Sequence, residues 1–413
     1  MAIRKHLCLI VSLFLLIPRS LATETVVKAG YWFPASEFPV SDINSTLFTH
    51  LFCAFAGIDP QTNQVNISST DRVTFSTFTQ TVQQKNPDVK TLLSIGGGSS
   101  TLTSEYLASM VSQPASRKIF INSSITRARE NGFHGLDLDW DWKYPETTEK
   151  MANMGTFFDE WRDSVATESR DSGKPELILT AAVYYSARFN SNTYPINSIE
   201  RSLDWVNVMA YDFSAPGWSH NYTGPPAALY NPTGPVSTSS GINAWIGNGL
   251  SSNKIVLGLP FYGYAWKLLD PKNHIVGAPA NGSALSEDGS QTYKQIKEFI
   301  GKTGATLVHD AKMVMDYCYI GSTWIGFDDL KTIAAKVTYV KQKGLRGYYG
   351  WSVSADDNWA LALKASETWD STPLPSKNAG PTSMQPLEKN INLSISLYFI
   401  IIQVVFAFWG NHL

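Results

Sequence analysis

The sequence predicts an α/β chain folded as a (β/α)8 TIM barrel, and three observations carry that prediction. Eight short, apolar, β-prone runs recur along the chain, at 27–31, 50–56, 90–96, 135–141, 177–184, 205–211, 254–261 and 347–351. They are apolar nearly throughout, as parallel strands covered on both faces must be. Amphipathic stretches stand between them, at 104–111, 116–131, 151–169 and 241–249. An open doubly wound sheet uses the same alternation and is the competing arrangement.

The spacing breaks once. The seventh run ends at Phe261 and the eighth begins at Gly347. The insert, about residues 266–329, has strand-like runs at 306–308, 312–319 and 322–327 and a helical run at 293–300. It reads as a small α+β insertion lobe between strands 7 and 8, beside the barrel mouth. A lobe there builds one wall of a groove, which suits a long ligand.

Both ends of the chain read as something other than barrel. Residues 1–22 carry a basic start (Arg4, Lys5), an apolar run from Leu7 to Ile17, and Ser20-Leu21-Ala22 as a small-residue cleavage site. That is the layout of a secretory signal peptide, with the barrel domain spanning 23–370. Residues 371–390 are a Pro-, Ser- and Gly-containing linker, and 391–409 are mostly apolar. Small residues at Asn378-Ala379-Gly380, a polar spacer and an apolar tail make a GPI-anchor signal. A transmembrane anchor and a removed vacuolar-sorting tail are the rival readings. Sequons at Asn44, Asn66, Asn122, Asn221, Asn281 and Asn392 suit a secreted glycoprotein.

Composition narrows the partners. The formal charge is -2 over 413 residues, with no basic block, so nucleic acid is not an expected partner. Aromatics make up 12% of the chain and tryptophan alone numbers 13, enough for a packed core and for rings that stack on sugars. Only three cysteines occur, and Cys8 lies in the leader, so this is no disulfide scaffold. Pairing of Cys53 with Cys318 stays open. No His/Cys ligand cluster is visible, so neither metal nor cofactor is implied.

The run Phe133-His134-Gly135-Leu136-Asp137-Leu138-Asp139-Trp140-Asp141-Trp142-Lys143-Tyr144-Pro145 holds the chemistry. Asp137, Asp139 and Asp141 fall at every second position, so an extended backbone points them to one face. Crowded carboxylates repel, and one of them tends to stay protonated, as an acid catalyst must. The next residue in the same phase is Lys143.

These residues resemble glycoside hydrolase family 18, and within it the plant class V chitinases. The likeness spans about residues 27–369. Besides the acid strand it includes Ser94-Ile95-Gly96-Gly97, Met209-Ala210-Tyr211-Asp212, Leu259-Pro260-Phe261-Tyr262-Gly263-Tyr264-Ala265-Trp266 and Gly347-Tyr348-Tyr349-Gly350-Trp351. The resemblance implies binding of β-1,4-linked N-acetylglucosamine chains, with N-glycans as further candidate ligands. It also implies a retaining, substrate-assisted reaction. A Glu ending an Asp-x-Asp-x-Glu run protonates the leaving oxygen, and the substrate's own acetamido oxygen attacks the sugar carbon. Carried over, Asp137 and Asp139 match the two aspartates of that run. Tyr211 matches the acetamido-binding Tyr, Asp212 its polar neighbour, and Trp351 the aromatic floor. Tyr31 and Met209 line the same pocket.

The match departs from the family pattern in the acid run, and His134 before it stands where many members carry Asp, although some plant members carry His. The family pattern runs Asp-Leu-Asp-Trp-Glu-Tyr-Pro, whereas here Asp141-Trp142-Lys143 stands between Asp-Leu-Asp-Trp and Tyr144-Pro145. Two residues have been added and no Glu is present. Anchored from Gly135, Asp141 takes the acid position; anchored from Tyr144-Pro145, Lys143 takes it. Two residues of strand rise about 6.6 Å, while a general acid must reach its oxygen at about 2.6–3.2 Å. Asp is also one methylene shorter than Glu, and Lys143 beside it favours the ionised form, which cannot donate a proton. The expectation is a secreted, surface-anchored, chitinase-like carbohydrate-binding protein whose hydrolysis is lost or weak. The alternative is an active chitinase or lipochitooligosaccharide hydrolase with Asp141 as proton donor. A purely structural or interaction role is the remaining class.

Overall fold

The computed structural model describes residues 26–98, 104–140 and 147–373. Eight parallel strands close into a barrel: β1 (Val27–Trp32), β2 (His50–Ile58), β3 (Lys90–Gly96), β4 (Gly135–Asp139), β5 (Ile178–Tyr184), β6 (Trp205–Met209), β7 (Ile255–Pro260) and β8 (Gly347–Trp351). Each pairs in parallel with the next, and β8 returns to β1. The predicted barrel is therefore the one formed, and the open doubly wound sheet is not.

Apolarity on both strand faces has two destinations. Inside the barrel, Val27, Ala29, Tyr31, Phe52, Ala54, Leu92, Trp205, Val256 and Tyr349 pack together. Outside it, Leu51, Leu93, Leu136, Leu179, Val206 and Leu257 meet the helices in a larger apolar layer. The helix Thr148–Ser172 opens on a side-chain cap, Thr147 accepting from the Lys150 amide at 3.2 Å. It buries Met151, Met154, Phe157, Phe158, Trp161 and Val165, which recur every three or four residues. The helix Arg72–Gln83 is rich in Thr, a weak helix former. Phe75, Phe78 and Val82 dock it on the barrel.

Between β7 and β8 rises the α+β lobe. Its antiparallel sheet runs Ala280–Ser283, Tyr262–Leu268, Thr323–Phe327, Met315–Ile320, Thr306–Asp310, with Ser290–Thr292 also pairing Tyr262–Leu268 and the helix Tyr293–Thr303 beside it. Its first strand starts at Tyr262, four residues before the boundary read from sequence, because the aromatic run after Pro260 turns directly into the lobe.

Two barrel strands stop two residues short of the C-terminal ends of their apolar runs. Strand β4 stops at Asp139, so Trp140 already lies beyond the sheet, and position 141 falls outside the described residues. Strand β6 stops at Met209: the Ala210 amide donates back to the Val208 carbonyl at 2.9 Å, and Asp212 takes a φ of 59°. That tight turn lifts Tyr211 and Asp212 off the strand. Cys53 and Cys318 are both free and buried, so no bridge joins them. The leader, residues 374–390 of the linker and the apolar tail lie outside the described residues; the linker's first residue, Ser371, instead ends the helix Ala360–Ser371.

Candidate functional site

Sheet register builds the centre of the site. Asp137 on β4 lies level with Ser94 on β3 and Thr180 on β5. The Ser94 hydroxyl donates to Asp137 Oδ2 at 2.7 Å and the Thr180 hydroxyl to Oδ1 at 2.6 Å. Across the barrel, Tyr31 OH donates to Oδ2 at 2.9 Å and Asn207 Nδ2 to Oδ1 at 3.3 Å. Asn207 Nδ2 also donates to Tyr31 OH at 2.8 Å, and Trp205 Nε1 donates to Asn207 Oδ1 at 3.0 Å. Asp137 is fully buried. Burial pushes its carboxyl above the ordinary range, while the four donors pull it back down.

Asp139 stands two residues further on the same face, about 6.6 Å nearer the mouth. It is 8% exposed, so it is the carboxylate of the pair that meets the opening. Burial raises the phenols of Tyr31, Tyr194 and Tyr211, and the Asp139 charge raises them further. The chain around it requires glycine. Gly96 sits at a φ of 108°, and a Cβ there would lie 2.1 Å from the Asp139 carbonyl oxygen. That same carbonyl accepts from the Gly97 amide at 2.8 Å.

Two further groups complete the mouth. Tyr211 OH lies 2.9 Å from Tyr349 OH. Gly258 leaves room for this phenol pair, since a Cβ there would come within 2.7 Å of both residues. Asp212 is exposed, and its Oδ1 accepts from Tyr262 OH at 2.5 Å and Tyr264 OH at 3.0 Å, so the lobe's first strand holds it. Trp351, at the end of β8, stacks on Phe33 with centroids 5.6 Å apart and planes 12° apart. Tyr31 meets it edge-on at 5.5 Å and Phe55 tilts against it at 5.9 Å. Met209 ends β6, partly exposed, level with Tyr184.

Tyr31, Asp139, Met209, Tyr211, Asp212 and Trp351 therefore sit at or just beyond the C-terminal ends of β1, β4, β6 and β8, with Asp137 one step deeper on β4, at the end where a barrel of this kind carries its chemistry. Asp141 and Lys143 lie outside the described residues. Sequence reasoning gave no role to Ser94, Thr180, Asn207 or Tyr349. The first three share a signal: each is a polar residue with an apolar neighbour on either side in its strand. A buried polar group needs a partner, and here the partner is Asp137. Among the described residues, no group of three His, Cys, Asp or Glu could hold a metal ion.

Chemically, the arrangement offers a flat aromatic surface for the apolar face of a pyranose. Beside it stand a carboxylate and a phenol pair, able to bind an amide N–H and an amide oxygen. Comparison with known proteins agrees with that chemistry. The family described as glycosyl hydrolases family 18 matches residues 25–356. A class V chitinase of Arabidopsis thaliana is 56% identical over 376 residues, 90% of this chain and 97% of that protein. The solved structure of a class V chitinase mutant from Nicotiana tobaccum in complex with NAG4 superposes with a TM-score of 0.82 at 50% identity, covering 84% of this chain and all of that one. A chitinase-like agglutinin from Robinia pseudoacacia superposes with a TM-score of 0.78 at 48% identity, covering 83% and 99%. The chain belongs to glycosyl hydrolase family 18.

Proposed function

We propose that this protein binds chitin and β-1,4-linked N-acetylglucosamine oligosaccharides at its barrel mouth and has lost most or all hydrolysis of them. One observation carries the reading: Asp-Leu-Asp-Trp is followed by Asp141-Trp142-Lys143, with no Glu before Tyr144-Pro145. The groups that grip a sugar remain, namely Trp351 on Phe33 and the cradle of Asp139, Tyr211 and Tyr349. The group that protonates a leaving sugar does not. Positioned acid catalysis contributes about 10²–10⁴-fold, and an acid displaced by about 1 Å loses on the order of 10²-fold. Binding without that contribution makes a lectin. A related chain crystallised with NAG4 and another named as an agglutinin support both halves of the reading. The layouts of the leader and the apolar tail support a site of action outside the cell, on a GPI anchor.

The test is residues 23–375 with a soluble N-acetylglucosamine hexamer. Calorimetry should give saturable binding, and chromatography after long incubation should give no shorter oligomers. Turnover through Asp141 would appear as di- to tetramers within minutes.

A further inference from the structure

Two of the sequons, far apart in the chain, meet on one outer wall of the barrel. Asn66 ends the short strand Val65–Asn66, in which Val65 is buried and Asn66 is exposed. Asn122 lies on the exposed face of the helix Pro114–Glu130. Strand and helix are pinned together: the Val65 amide donates to the Ser123 hydroxyl at 2.9 Å, and Arg127 Nε donates to the Val65 carbonyl at 3.4 Å. Three grooves open on this wall, and each has a sequon asparagine in its lining. One, of about 350 Å³, has Asn66, Ile67, Arg72 and Arg127 on its walls. The next, of about 360 Å³, has Asn122, Gln64, Ile119, Thr126 and Arg127. The third, of about 650 Å³, separates that helix from the helix Thr148–Ser172, with Asn122, Ile125, Asp163 and Thr167 on its walls. All three fall in the range of small-ligand pockets, about 300–1,000 Å³.

We propose that Asn66 and Asn122 are N-glycosylation sites, and that the first sugar of each glycan lies in the groove beside its asparagine. This rests on the secretory leader proposed above, because a chain must be translocated to meet the sugar donor. A helical side chain leans over the turn N-terminal to it, so Asn122 reaches over Ile119, three residues earlier and 39% exposed. The apolar face of an N-acetylglucosamine covers that side chain, while its hydroxyls and acetamido group meet Gln64, Thr126 and Arg127 on the rim. Arg127 lines the Asn66 groove as well. Its bonds to the Val65 carbonyl and, at 2.8 Å, to Glu130 Oε2 use two of the five N–H donors of a guanidinium, so one side chain can serve both sugars.

The transfer is a substitution at one carbon. The asparagine amide nitrogen bonds to C1 of the first N-acetylglucosamine of a lipid-linked oligosaccharide. The bond from C1 to the donor's diphosphate oxygen breaks, its electron pair leaves on the diphosphate, and the amide gives up one N–H proton to a base. In the folded chain the Ser124 hydroxyl is fully buried, donating to the Ile121 carbonyl at 2.8 Å and accepting from Trp161 Nε1 at 3.0 Å. The unit Asn122-Ser123-Ser124 is therefore closed once the two helices pack, and its sugar is added before they do. Asn66-Ile67-Ser68 stays open, since Asn66 and Ser68 are both exposed. Phe120, Ile121, Phe157 and Trp161 dock these helices on the outside of the barrel, so both glycans leave the mouth uncovered.

The experiment uses the full chain expressed in a eukaryotic cell line that makes high-mannose glycans, with the mature N-terminus sequenced to show removal of the leader. Glycopeptide mass spectrometry should find an N-glycan at both Asn66 and Asn122. Hydrogen exchange over residues 114–130 is then compared in untreated protein, in protein trimmed by an endoglycosidase to one sugar per site, and in protein stripped by an amidase. Trimmed protein should match untreated protein. Stripping should speed exchange there by about threefold or more and lower the melting temperature by about 2 °C or more, with hexamer affinity unchanged. Stripping leaves aspartates, so Asn66→Gln combined with Asn122→Gln, uncharged and bare, should exchange as fast as stripped protein. A secreted, leader-free chain with Asn66 or Asn122 bare overturns the proposal while the leader stands. Occupied sites with equal exchange in all three samples, or a Gln variant that exchanges as slowly as untreated protein, overturn it too. A chain that keeps its leader and stays inside the cell overturns both.

Discussion

Replacing Asp137 tests whether the barrel floor is organised as described. In Asp137→Ala, the Ser94 and Tyr31 hydroxyls lose their carboxylate acceptor, while Asn207 still donates to Tyr31 OH at 2.8 Å and the Thr180 hydroxyl still reaches the Leu136 carbonyl at 3.5 Å. Two buried donors are left unsatisfied at about 1–3 kcal/mol each, so the loss is about 2–6 kcal/mol. In Asp137→Asn the side-chain shape and one carbonyl oxygen survive. Thr180 and Asn207 keep an acceptor, and the Tyr31 and Ser94 hydroxyls can rotate to receive the new amide. The cost should fall to about 1–2 kcal/mol. Urea unfolding followed by tryptophan fluorescence reads both values, with the slope of the transition unchanged between variants. Unfolding of Asp137→Ala within about 0.5 kcal/mol of the parent, the range of an ordinary surface change, would refute this organisation of the barrel interior. It is equally refuted if the Asn variant costs more than the Ala variant.

Three further outcomes concern other parts of the molecule. Trp351→Ala removes the ring that stacks on Phe33 and should weaken hexamer binding by about 10–100-fold, worth about 1.4–2.8 kcal/mol at a buried aromatic anchor; calorimetry at matched folding stability checks it. His50 is buried edge-on against Trp205, and burial, with Arg346 and Lys90 nearby, pushes its pKa down to about 3. Its unfolded value is 6.5, so unfolding takes up a proton between those limits. The stability it contributes is full above pH 6.5 and drains away as pH falls toward 3, at up to about 1.4 kcal/mol per unit. Urea midpoints of the parent and His50→Gln should therefore converge on acidification. Lys336, buried under the lobe, donates to Asp328 and to the Ala227 carbonyl. Lys336→Met should cost about 3–5 kcal/mol by leaving Asp328 unpaired, and adding Asp328→Leu should recover most of that in thermal unfolding.

Much of the fold was legible in the sequence, and the reason is physical. Parallel strands covered on both sides must be apolar on both faces, so β1 to β8 stand out as runs. The lobe announces itself by the one long gap between such runs. The ends of strands are harder. The residues 205–211 look uniformly strand-like, and the 2.9 Å turn bond from Ala210 to Val208 that ends β6 at Met209 has no sequence mark. Partners across the barrel are harder still. Tyr31 and Asp137 are 106 residues apart, and Asn207 and Asp137 are 70 apart. Barrel closure joins them, whereas local spacing reports only neighbours on one strand. The ladder of acids was readable for Asp137 and Asp139, because one strand carries both. Strand β4 ends at Asp139, and position 141 lies outside the described residues.

The central claim is that one missing side chain separates binding from cleavage. The most direct measurement compares the parent chain with a variant in which Asp141→Glu is combined with deletion of Trp142 and Lys143, restoring Asp-Leu-Asp-Trp-Glu-Tyr-Pro. Initial rates of hexamer cleavage are recorded at saturation, with affinity measured on the same samples. Affinity should be equal within about threefold, and the rate should rise by at least about 10²-fold in the variant. Hexamer cleavage by the parent at the variant's rate would contradict the claim.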